Sequence, residues 1–304
     1  MTAAELPPRR YFIAGQAFEA PLLAPGLHIV ATPIGNLRDI TLRALETLAA
    51  ADLVLCEDTR TSARLLDHYG IKTPRKPLHE HNERERIEPI LADLGRGSSI
   101  ALISDAGTPL LSDPGFPLVR AVRGAGIDVF AVPGPSALLA AVVTAGLPTD
   151  RFSFVGFLPP KTTARQKALA GLSDRGETLV FYESPRRLGE TLADMAAVFG
   201  SEREAVVALE LTKRFERTSR GPLARLATDF AAAETKGEAV IVVAGAAASE
   251  APPVDAWQAA LTAELAGQPL RAAVDSVAER FGLKRKLVYD TALALRDGTA
   301  KGEP

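Results

Sequence analysis

The sequence alternates short apolar runs with loops rich in glycine and proline, and amphipathic segments follow these loops. Four runs in the first half are short enough to be buried strands: residues 27–31, 53–56, 100–103 and 129–132. Helices are expected between or after them: residues 41–50, 116–124 and 136–145. This alternation is typical of an α/β protein with a largely parallel sheet. We therefore predict an α/β domain over residues 26–147, preceded by a poorly tied extension, residues 1–25.

After a break at residues 147–150, apolar runs again alternate with amphipathic segments. This second alternation predicts another α/β domain over residues 148–246. Its strands are expected at residues 152–157, 178–182, 206–211 and 239–244, and its helices at 163–172 and 187–199. Residues 253–304 carry only helical patterns, in which two periodic segments meet at Gly282. This spacing predicts a small C-terminal domain of the helix-turn-helix type. A helical bundle with a solvated basic face is the alternative.

Composition excludes several classes of protein. The chain has 304 residues, of which 47% are hydrophobic, so it can bury a core and is not disordered. Its net charge of −2 gives no general attraction to nucleic acid, so a polyanion would have to bind to a local cluster of basic side chains. Cys56 is the only cysteine, which excludes disulfides and thiolate zinc clusters, and we expect no metal site. No apolar stretch suits a membrane helix, and a cytoplasmic location is expected.

Three loops that follow strands of the first domain are expected to line a ligand cleft, because ligands of open α/β sheets bind beyond the carboxyl ends of the strands. They are residues 32–37, residues 104–109 continuing to 112–115, and residues 133–137. Glycine lets the backbone approach a ligand, and Ser136 is placed to cap the helix that follows. Ordinary tight turns are the alternative for each loop alone. No Gly-x-Gly-x-x-Gly, phosphate-loop or Gly-x-Ser-x-Gly motif occurs, which disfavours dinucleotide, nucleotide and hydrolase sites.

Five segments together resemble the tetrapyrrole methylase superfamily, and within it the branch that acts on ribosomal RNA. They are residues 31–41, 56–60, 104–109, 132–137 and 182–187. The resemblance spans residues 27–244, and the helical tail also fits. It implies two α/β domains with S-adenosyl-L-methionine in the cleft between them, in a homodimer to which the apolar residues 137–143 offer a contact. It also implies methylation of the ribose 2′-hydroxyl of one cytidine in the decoding region of small-subunit ribosomal RNA.

The resemblance also assigns residues to the methyl donor. Those expected to bind it are Pro33, Gly35, Ser104, Asp105, Ala106, Gly107, Thr108, Pro133, Gly134, Ser136, Ala137 and Thr212. The Ser-Asp-Ala of residues 104–106 stands where the superfamily has Gly-Asp-Pro, which argues against a corrin substrate.

A ribose hydroxyl is a weak acid, so a nearby base or cation should help it attack. The expected catalytic residues are Glu183, Asp58, Arg60 and Lys213, and our hypothesis is that Glu183 and Asp58 face the target ribose. Alternatives remain for each of them. Asp58 and Arg60 are also suited to cap the next helix, Glu183 to pair with Arg186 or Arg187, and Lys213 to anchor a phosphate.

RNA contacts are expected from basic clusters and from a polar loop, although solvated faces are the alternative for each. The expected residues are Arg186, Arg187, Arg214, His79, Asn82, Lys284, Arg285 and Lys286. Two rival functions remain, a small-molecule methyltransferase of the tetrapyrrole type and a ligand-sensing regulator that binds nucleic acid. The basic tail argues against the first rival, and the donor-type loops argue against the second.

Overall fold

The computed structural model describes residues 9–231, 237–247 and 253–299. The chain divides into two compact units, Met1–Gly245 and Ala246–Pro304. The strands of the first unit are β1 (Arg10–Ile13), β2 (Gln16–Glu19), β3 (Gly26–Val30), β4 (Leu53–Cys56), β5 (Arg75–Pro77), β6 (Ser99–Leu102), β7 (Val129–Val132), β8 (Phe152–Phe157), β9 (Thr178–Glu183), β10 (Glu204–Leu209), β11 (Arg217–Pro222) and β12 (Ala239–Val243). Its helices are α1 (Leu42–Ala50), α2 (Thr59–His68), α3 (Glu83–Gly95), α4 (Phe116–Gly124), α5 (Ala137–Thr144), α6 (Thr162–Ala170), α7 (Leu188–Phe199) and α8 (Leu223–Ala231).

The N-terminal sheet has the strand order β5-β4-β6-β3-β7, and every neighbouring pair is parallel. The four strands expected from the apolar runs are confirmed to within one residue. Each of α1 and α5 begins after a residue whose side chain accepts a backbone N–H, Thr41 for α1 and Ser136 for α5. The sequence interpretation missed β5, α2 and α3, because these elements are polar and partly exposed.

The second sheet has the order β11-β10-β12-β9-β8, and only its β8–β9 pair is parallel. The expectation of a largely parallel sheet is wrong here. Helix α5 covers one face of this sheet and helices α6 to α8 cover the other, so β10 and β12 are buried on both sides. A strand buried on both faces has a continuous apolar sequence, which is the pattern that usually marks parallel strands. The hairpin strand β11 and the helix α8 were not predicted.

The described part of the N-terminal extension is tied to the first sheet, contrary to expectation. Strands β1 and β2 form an antiparallel hairpin through Ala14 and Gly15, both with positive φ, as a two-residue primed turn requires. Tyr11 is 4% exposed and packs into the core around helix α1, and the Phe12 amide donates to the Tyr69 carbonyl. Residues 1–8 lie outside the described part of the chain.

The second unit contains the helices α9 (Val254–Leu265), α10 (Leu270–Phe281) and α11 (Arg285–Thr299). Their core contains Trp257, Leu261, Val277 and Val288. The predicted pair of helices joined at Gly282 is confirmed, and Gly282 adopts the left-handed conformation that ends α10. None of the helices seen in the described residues is both long and apolar enough to cross a membrane.

Candidate active site

A cavity of about 370 Å³ lies between the two sheets of the first unit, a size within the usual range for small-molecule sites. Its first wall consists of the loops that follow the carboxyl ends of β3 and β6, together with the start of α5. Its second wall comes from the end of β9, from β8 and from the segment entering β12. The lining residues are Ile34, residues 105–108 and 111–113, Ala137, Phe157, residues 182–185 and residues 237–240.

Hydrogen bonds fix the three glycine- and proline-rich loops to one another. Thr32 and Gly107 exchange backbone hydrogen bonds of 2.8 and 3.0 Å, which join the loop after β3 to the loop after β6. The Thr108 hydroxyl donates to the Pro135 carbonyl at 3.2 Å and so joins the third loop. Gly107 has φ +80°, a conformation that glycine adopts at low cost. The cavity wall is therefore preorganised.

Tyr182 connects the two walls. Its hydroxyl accepts the Leu138 amide at 3.2 Å, in the first turn of α5. The ring makes edge contacts with Phe154 and Phe157, with centroids 4.9 and 5.7 Å away. Burial raises the pKa of Tyr182, so its hydroxyl keeps its proton at neutral pH.

The cavity is acidic. Four carboxyl groups line it among the described residues, from Asp105, Asp113, Glu183 and Glu238, whereas none of the described lining residues is Lys, Arg or His. Glu183 lies 3.4 Å from Arg187 and Glu238 lies 3.2 Å from Lys213, so these two charges are balanced. Asp105 and Asp113 carry the charge that faces the cavity. Such a site suits a cationic ligand and disfavours a phosphate.

Both of these aspartates have perturbed ionisation. The pKa of Asp113 is raised to about 6, mainly by burial and in smaller part by the charges of Glu57 and Asp105, although a hydrogen bond from Ser104 lowers it. Burial also raises the pKa of Asp105, although its carboxylate accepts the Asp58 amide at 3.1 Å. A carboxyl group in a cleft with a strongly shifted pKa is a candidate for a role in binding or catalysis.

The predicted donor-binding residues divide into those that line the cavity and those that lie beside it. Lining it are Asp105, Ala106, Gly107, Thr108 and Ala137. Beside it, in the same loops, are Pro33, Ser104, Pro133, Gly134 and Ser136. Gly35 and Thr212 line a second, open depression. Donor binding by all of these residues stays a prediction. Sequence reasoning did not name Asp113, Tyr182 or residues 237–240 as site residues. Asp113 and Tyr182 each had a signal, because Asp113 belongs to a loop that the sequence already marked and Tyr182 to the segment 182–187.

Glu183 is held by its neighbours, as the alternative interpretation expected. One carboxylate oxygen accepts the Ser184 amide at 2.7 Å, and the other accepts the Thr191 hydroxyl at 2.7 Å and lies 3.4 Å from Arg187. Both carboxylate oxygens of Glu183 are therefore occupied by contacts within the protein. Its position fits a residue that orders the end of β9, not a free base.

Asp58 and Arg60 are outside the cavity lining and make a helix cap instead. Asp58 accepts the Arg60 amide at 2.7 Å at the start of α2, and the two side chains form an ion pair of 2.8 Å. These contacts lower the pKa of Asp58 to about 2. Such a weak base is unsuited to deprotonate a hydroxyl, so the hypothesis that Asp58 faces the ribose as a base finds no support.

Lys213 is also engaged. Its ammonium group donates to Glu210 at 2.9 Å and to Glu238 at 3.2 Å, which leaves little charge for a reacting oxygen. Neighbouring Thr212 has φ +64°, and its hydroxyl is buried without a hydrogen-bond partner in the described part of the chain. A buried hydroxyl of this kind is ready to bond a ligand.

The predicted RNA-contacting residues differ in whether their side chains are exposed or held in contacts within the protein. Arg186 and Arg214 are exposed beside the cavity and the open depression, and Lys284 and Lys286 are exposed on the helical unit. Arg187 instead turns inward, to Glu183 and to the carbonyls of Leu158 and Pro159. The side chains of His79 and Asn82 bond each other, and Arg285 pairs with Asp275. RNA contacts of all eight residues stay predictions, and Arg186, Arg214, Lys284 and Lys286 are best placed for them.

The chain matches known families over most of its length. The profile described as "Tetrapyrrole (Corrin/Porphyrin) Methylases" matches residues 26–227, and that described as "RsmI C-terminal HTH domain" matches residues 250–296. A protein of Mesorhizobium japonicum named "Ribosomal RNA small subunit methyltransferase I" is 49% identical over 284 residues, or 92% of this chain and 96% of that protein. A Pseudomonas aeruginosa protein of the same name is 50% identical over 272 residues, or 88% and 96%.

Solved structures share the fold at lower identity. The methyltransferase CobJ is 19% identical, covers 74% of this chain and 95% of its own, and has a TM-score of 0.57. A uroporphyrin-III C-methyltransferase from Thermus thermophilus, complexed with S-adenosyl homocysteine, is 18% identical, covers 72% and 97%, and has a TM-score of 0.51. With the matched profiles and the close relatives, these findings show that the chain belongs to the ribosomal RNA small subunit methyltransferase I family of the tetrapyrrole methylases.

Proposed function

We propose that the chain transfers a methyl group from S-adenosylmethionine to the 2′-hydroxyl of a cytidine in the decoding region of small-subunit ribosomal RNA. The observation that carries this proposal is the acidic cavity between the two sheets. S-adenosylmethionine, when bound, supplies a methyl group on a positively charged sulfur. Asp105 and Asp113 match that charge, and the rigid loop backbone suits the uncharged parts of a nucleoside.

The residues present fit this donor. The cavity of about 370 Å³ is large enough for a nucleoside, and its described lining includes no basic side chain that would favour a nucleotide phosphate. The buried Thr212 hydroxyl, which has no partner in the described residues, offers a hydrogen bond near the same loops. Methyl transfer is a displacement that needs two reactants held in line, and preorganised loops supply that positioning.

The RNA side of the proposal is supported by exposed cations near the cavity and on the helical unit. Arg186 follows the cavity residue Pro185, and Arg214 lies on the open depression with its guanidinium 5.7 Å from the ring centroid of exposed Phe215. An exposed aromatic ring beside an arginine suits an unpaired base. An RNA substrate also favours a cytoplasmic location.

Transfer of a labelled methyl group tests the function directly. Purified protein and tritiated S-adenosylmethionine are incubated with small subunits from cells that lack this modification, or with naked ribosomal RNA, and nucleosides are analysed by mass spectrometry. We expect 2′-O-methylcytidine at one position. Methyl groups on a base, or none on either RNA substrate, would contradict the proposal. Porphyrin substrates serve as the comparison for the small-molecule alternative.

We further propose a homodimer in which α5 contributes to the contact. Leu139 and Val143 of this helix are 51% and 73% exposed, although its other face packs on the second sheet. Replacing both by glutamate should convert the dimer to a monomer, because two charges would be buried in an apolar interface. Light scattering after gel filtration measures the mass. Val254→Glu, in the helical unit, is the matched control. A monomeric wild type, or a double variant that remains dimeric, would count against this contact.

A further inference from the structure

An irregularity in strand β8 decides which face of the second sheet Phe157 lies on. The pairing of β8 with β9 is regular from Phe152 to Phe154, shifts by one residue, and resumes at Gly156. Val155 is the extra residue, and Gly156 has φ +75°, a conformation that glycine adopts at low cost. A β-bulge of this kind re-aims the side chains that follow it and is common next to active sites.

The bulge turns Phe157 towards the cavity. Side chains of a regular strand alternate between the two faces, so Phe157 would lie opposite to Phe154, on the face covered by α6 to α8. The extra residue brings both rings to the same face, where each makes an edge contact with the Tyr182 ring, and Phe157 lines the cavity. Phe157 is 58% exposed, so much of its ring is open to a ligand.

The bulge also packs against the loop between β6 and α4. A Cβ built on Gly156 would lie 2.9 Å from the Ser112 hydroxyl oxygen, so any larger residue would push this loop away. The two residues that directly follow this contact, Asp113 and Phe157, both line the cavity. Asp113 is one of the carboxylates that match the sulfonium charge of the donor. The Phe157 ring therefore belongs to the second wall, next to the place proposed for the reacting methyl group.

A nucleotide whose ribose reacts in this cavity needs a surface for its base. The base is bonded directly to the reacting ribose, so a nucleotide drawn between the two sheets has its base splayed out from its neighbours. Such bases bind on aromatic rings, because every base has a π face. Among the described lining residues, the aromatic side chains are those of Phe157 and Tyr182. Tyr182 is held by the Leu138 amide and the ring of Phe154, which leaves Phe157 as the open surface.

The end of β8 is fixed to the turn that carries an exposed cation. The Arg187 guanidinium donates to the carbonyls of Leu158 and Pro159 at 3.2 and 3.1 Å, and these residues directly follow Phe157. The adjacent Arg186 is exposed and is suited to neutralise a phosphate of the nucleotide whose base lies on the ring. A fixed aromatic ring near a cation is the usual arrangement of sites for single-stranded RNA.

We propose that Phe157 binds the base of the target nucleotide by stacking, an assignment that rests on the methyl transfer to RNA proposed above. The stack holds the base on the second wall and so directs the attached 2′-hydroxyl towards the methyl donor at the first wall. Stacking tolerates every base. Phe157 therefore supplies affinity and positioning, and the preference for cytidine comes from other groups.

RNA binding without turnover tests the stack. Fluorescence anisotropy, with S-adenosylhomocysteine present, compares a decoding-region fragment with the same fragment carrying an abasic ribose at the target position. We expect Phe157→Ala to weaken binding of the cytidine fragment by about 5- to 150-fold, the usual loss for one base–aromatic stack, and binding of the abasic fragment by less than about twofold. Any effect of base removal on the free RNA is common to both proteins and cancels in this double-mutant comparison.

Further variants separate stacking from apolar contact and from folding. Phe157→Trp keeps a π face and should bind the cytidine fragment within about threefold of wild type, whereas Phe157→Leu should lose most of what Phe157→Ala loses. Phe152→Ala is the matched control, because Phe152 is 39% exposed and lies at the other end of β8. It should bind both fragments as wild type does. Calorimetry should give every variant a donor affinity within about twofold of wild type, since the stack involves only RNA.

Equal weakening of both fragments by Phe157→Ala would overturn this inference, because Phe157 would then contact another part of the RNA. Leucine binding as tightly as tryptophan at position 157 would also overturn it, and so would a donor affinity that falls together with the RNA affinity. Failure of the proposed function is a separate result. A wild type that transfers no methyl group to small subunits or to naked RNA refutes the function and the stack, whereas methyl transfer beside any of the results above refutes the stack alone.

Discussion

Asp194→Ala should lower the free energy of unfolding of the first unit by about 3–5 kcal/mol, because it removes one member of a buried ion pair. Arg165 on α6 is 1% exposed, and its Nε donates to Asp194 on α7 at 2.5 Å. Its other nitrogens reach the Pro160 carbonyl and the Thr162 hydroxyl. Without Asp194 the guanidinium would stay in the interior, and the one counter-ion left to it among the described residues would be the exposed Glu190, at 3.7 Å.

Glu190→Ala is the matched control. Glu190 is 74% exposed, so its removal should cost about 1 kcal/mol or less. The double change Arg165→Met with Asp194→Leu should recover most of the loss, because apolar residues of similar size replace a desolvated pair.

Unfolding in guanidinium chloride, followed by circular dichroism, measures these differences in stability. Trp257, the only tryptophan in the sequence, lies in the core of the helical unit. Its fluorescence should keep its midpoint in all variants. A loss below about 1 kcal/mol for Asp194→Ala would show that the pair is not desolvated as described.

The buried pair of Arg165 and Asp194 is a feature that could not be predicted from the sequence. Arg165 stands in a basic run with Lys161 and Lys167, and from the sequence alone such a run is a candidate for contact with RNA. Only Lys161 and Lys167 are exposed. The partner of Arg165 is 29 residues away along the chain, and no local pattern announces it. A charge becomes buried through tertiary packing, so composition in a short window cannot identify it.

The loops around the cavity were predictable because glycine and proline mark them locally. The confirmed strands that precede these loops are short and apolar, and the carboxyl ends of parallel strands meet at one edge. The pairing of the second sheet was not predictable, because burial on both faces removes the alternation that distinguishes antiparallel strands. The acidity of the cavity was not predictable either. It arises because Arg187 and Lys213 bind Glu183 and Glu238 and leave Asp105 and Asp113 facing the ligand space.

RNA binding should depend steeply on salt, whereas donor binding should not. If Arg186, Arg214, Lys284 and Lys286 each neutralise one phosphate of single-stranded RNA, the logarithm of affinity should fall with the logarithm of salt with a slope of about −3. Between 50 and 200 mM salt this slope means a loss of about 50-fold. The donor meets its site through a partly buried cavity and carries a single sulfonium charge, so its affinity should change by less than about twofold.

Single substitutions assign the slope to particular side chains. Arg186→Ala and Arg214→Ala should each reduce the magnitude of the slope by about 0.7, which is the value of one phosphate contact on a single strand. Arg96→Ala is the matched control, because Arg96 precedes β6 and so lies at the amino edge of the first sheet, opposite the loops that line the cavity. Fluorescence anisotropy with a decoding-region RNA fragment gives the slopes, and calorimetry gives the donor affinity. Equal salt sensitivity of the two ligands would contradict an electrostatic RNA surface. An Arg96→Ala slope reduced as much as that of Arg186→Ala would place the RNA elsewhere on the protein.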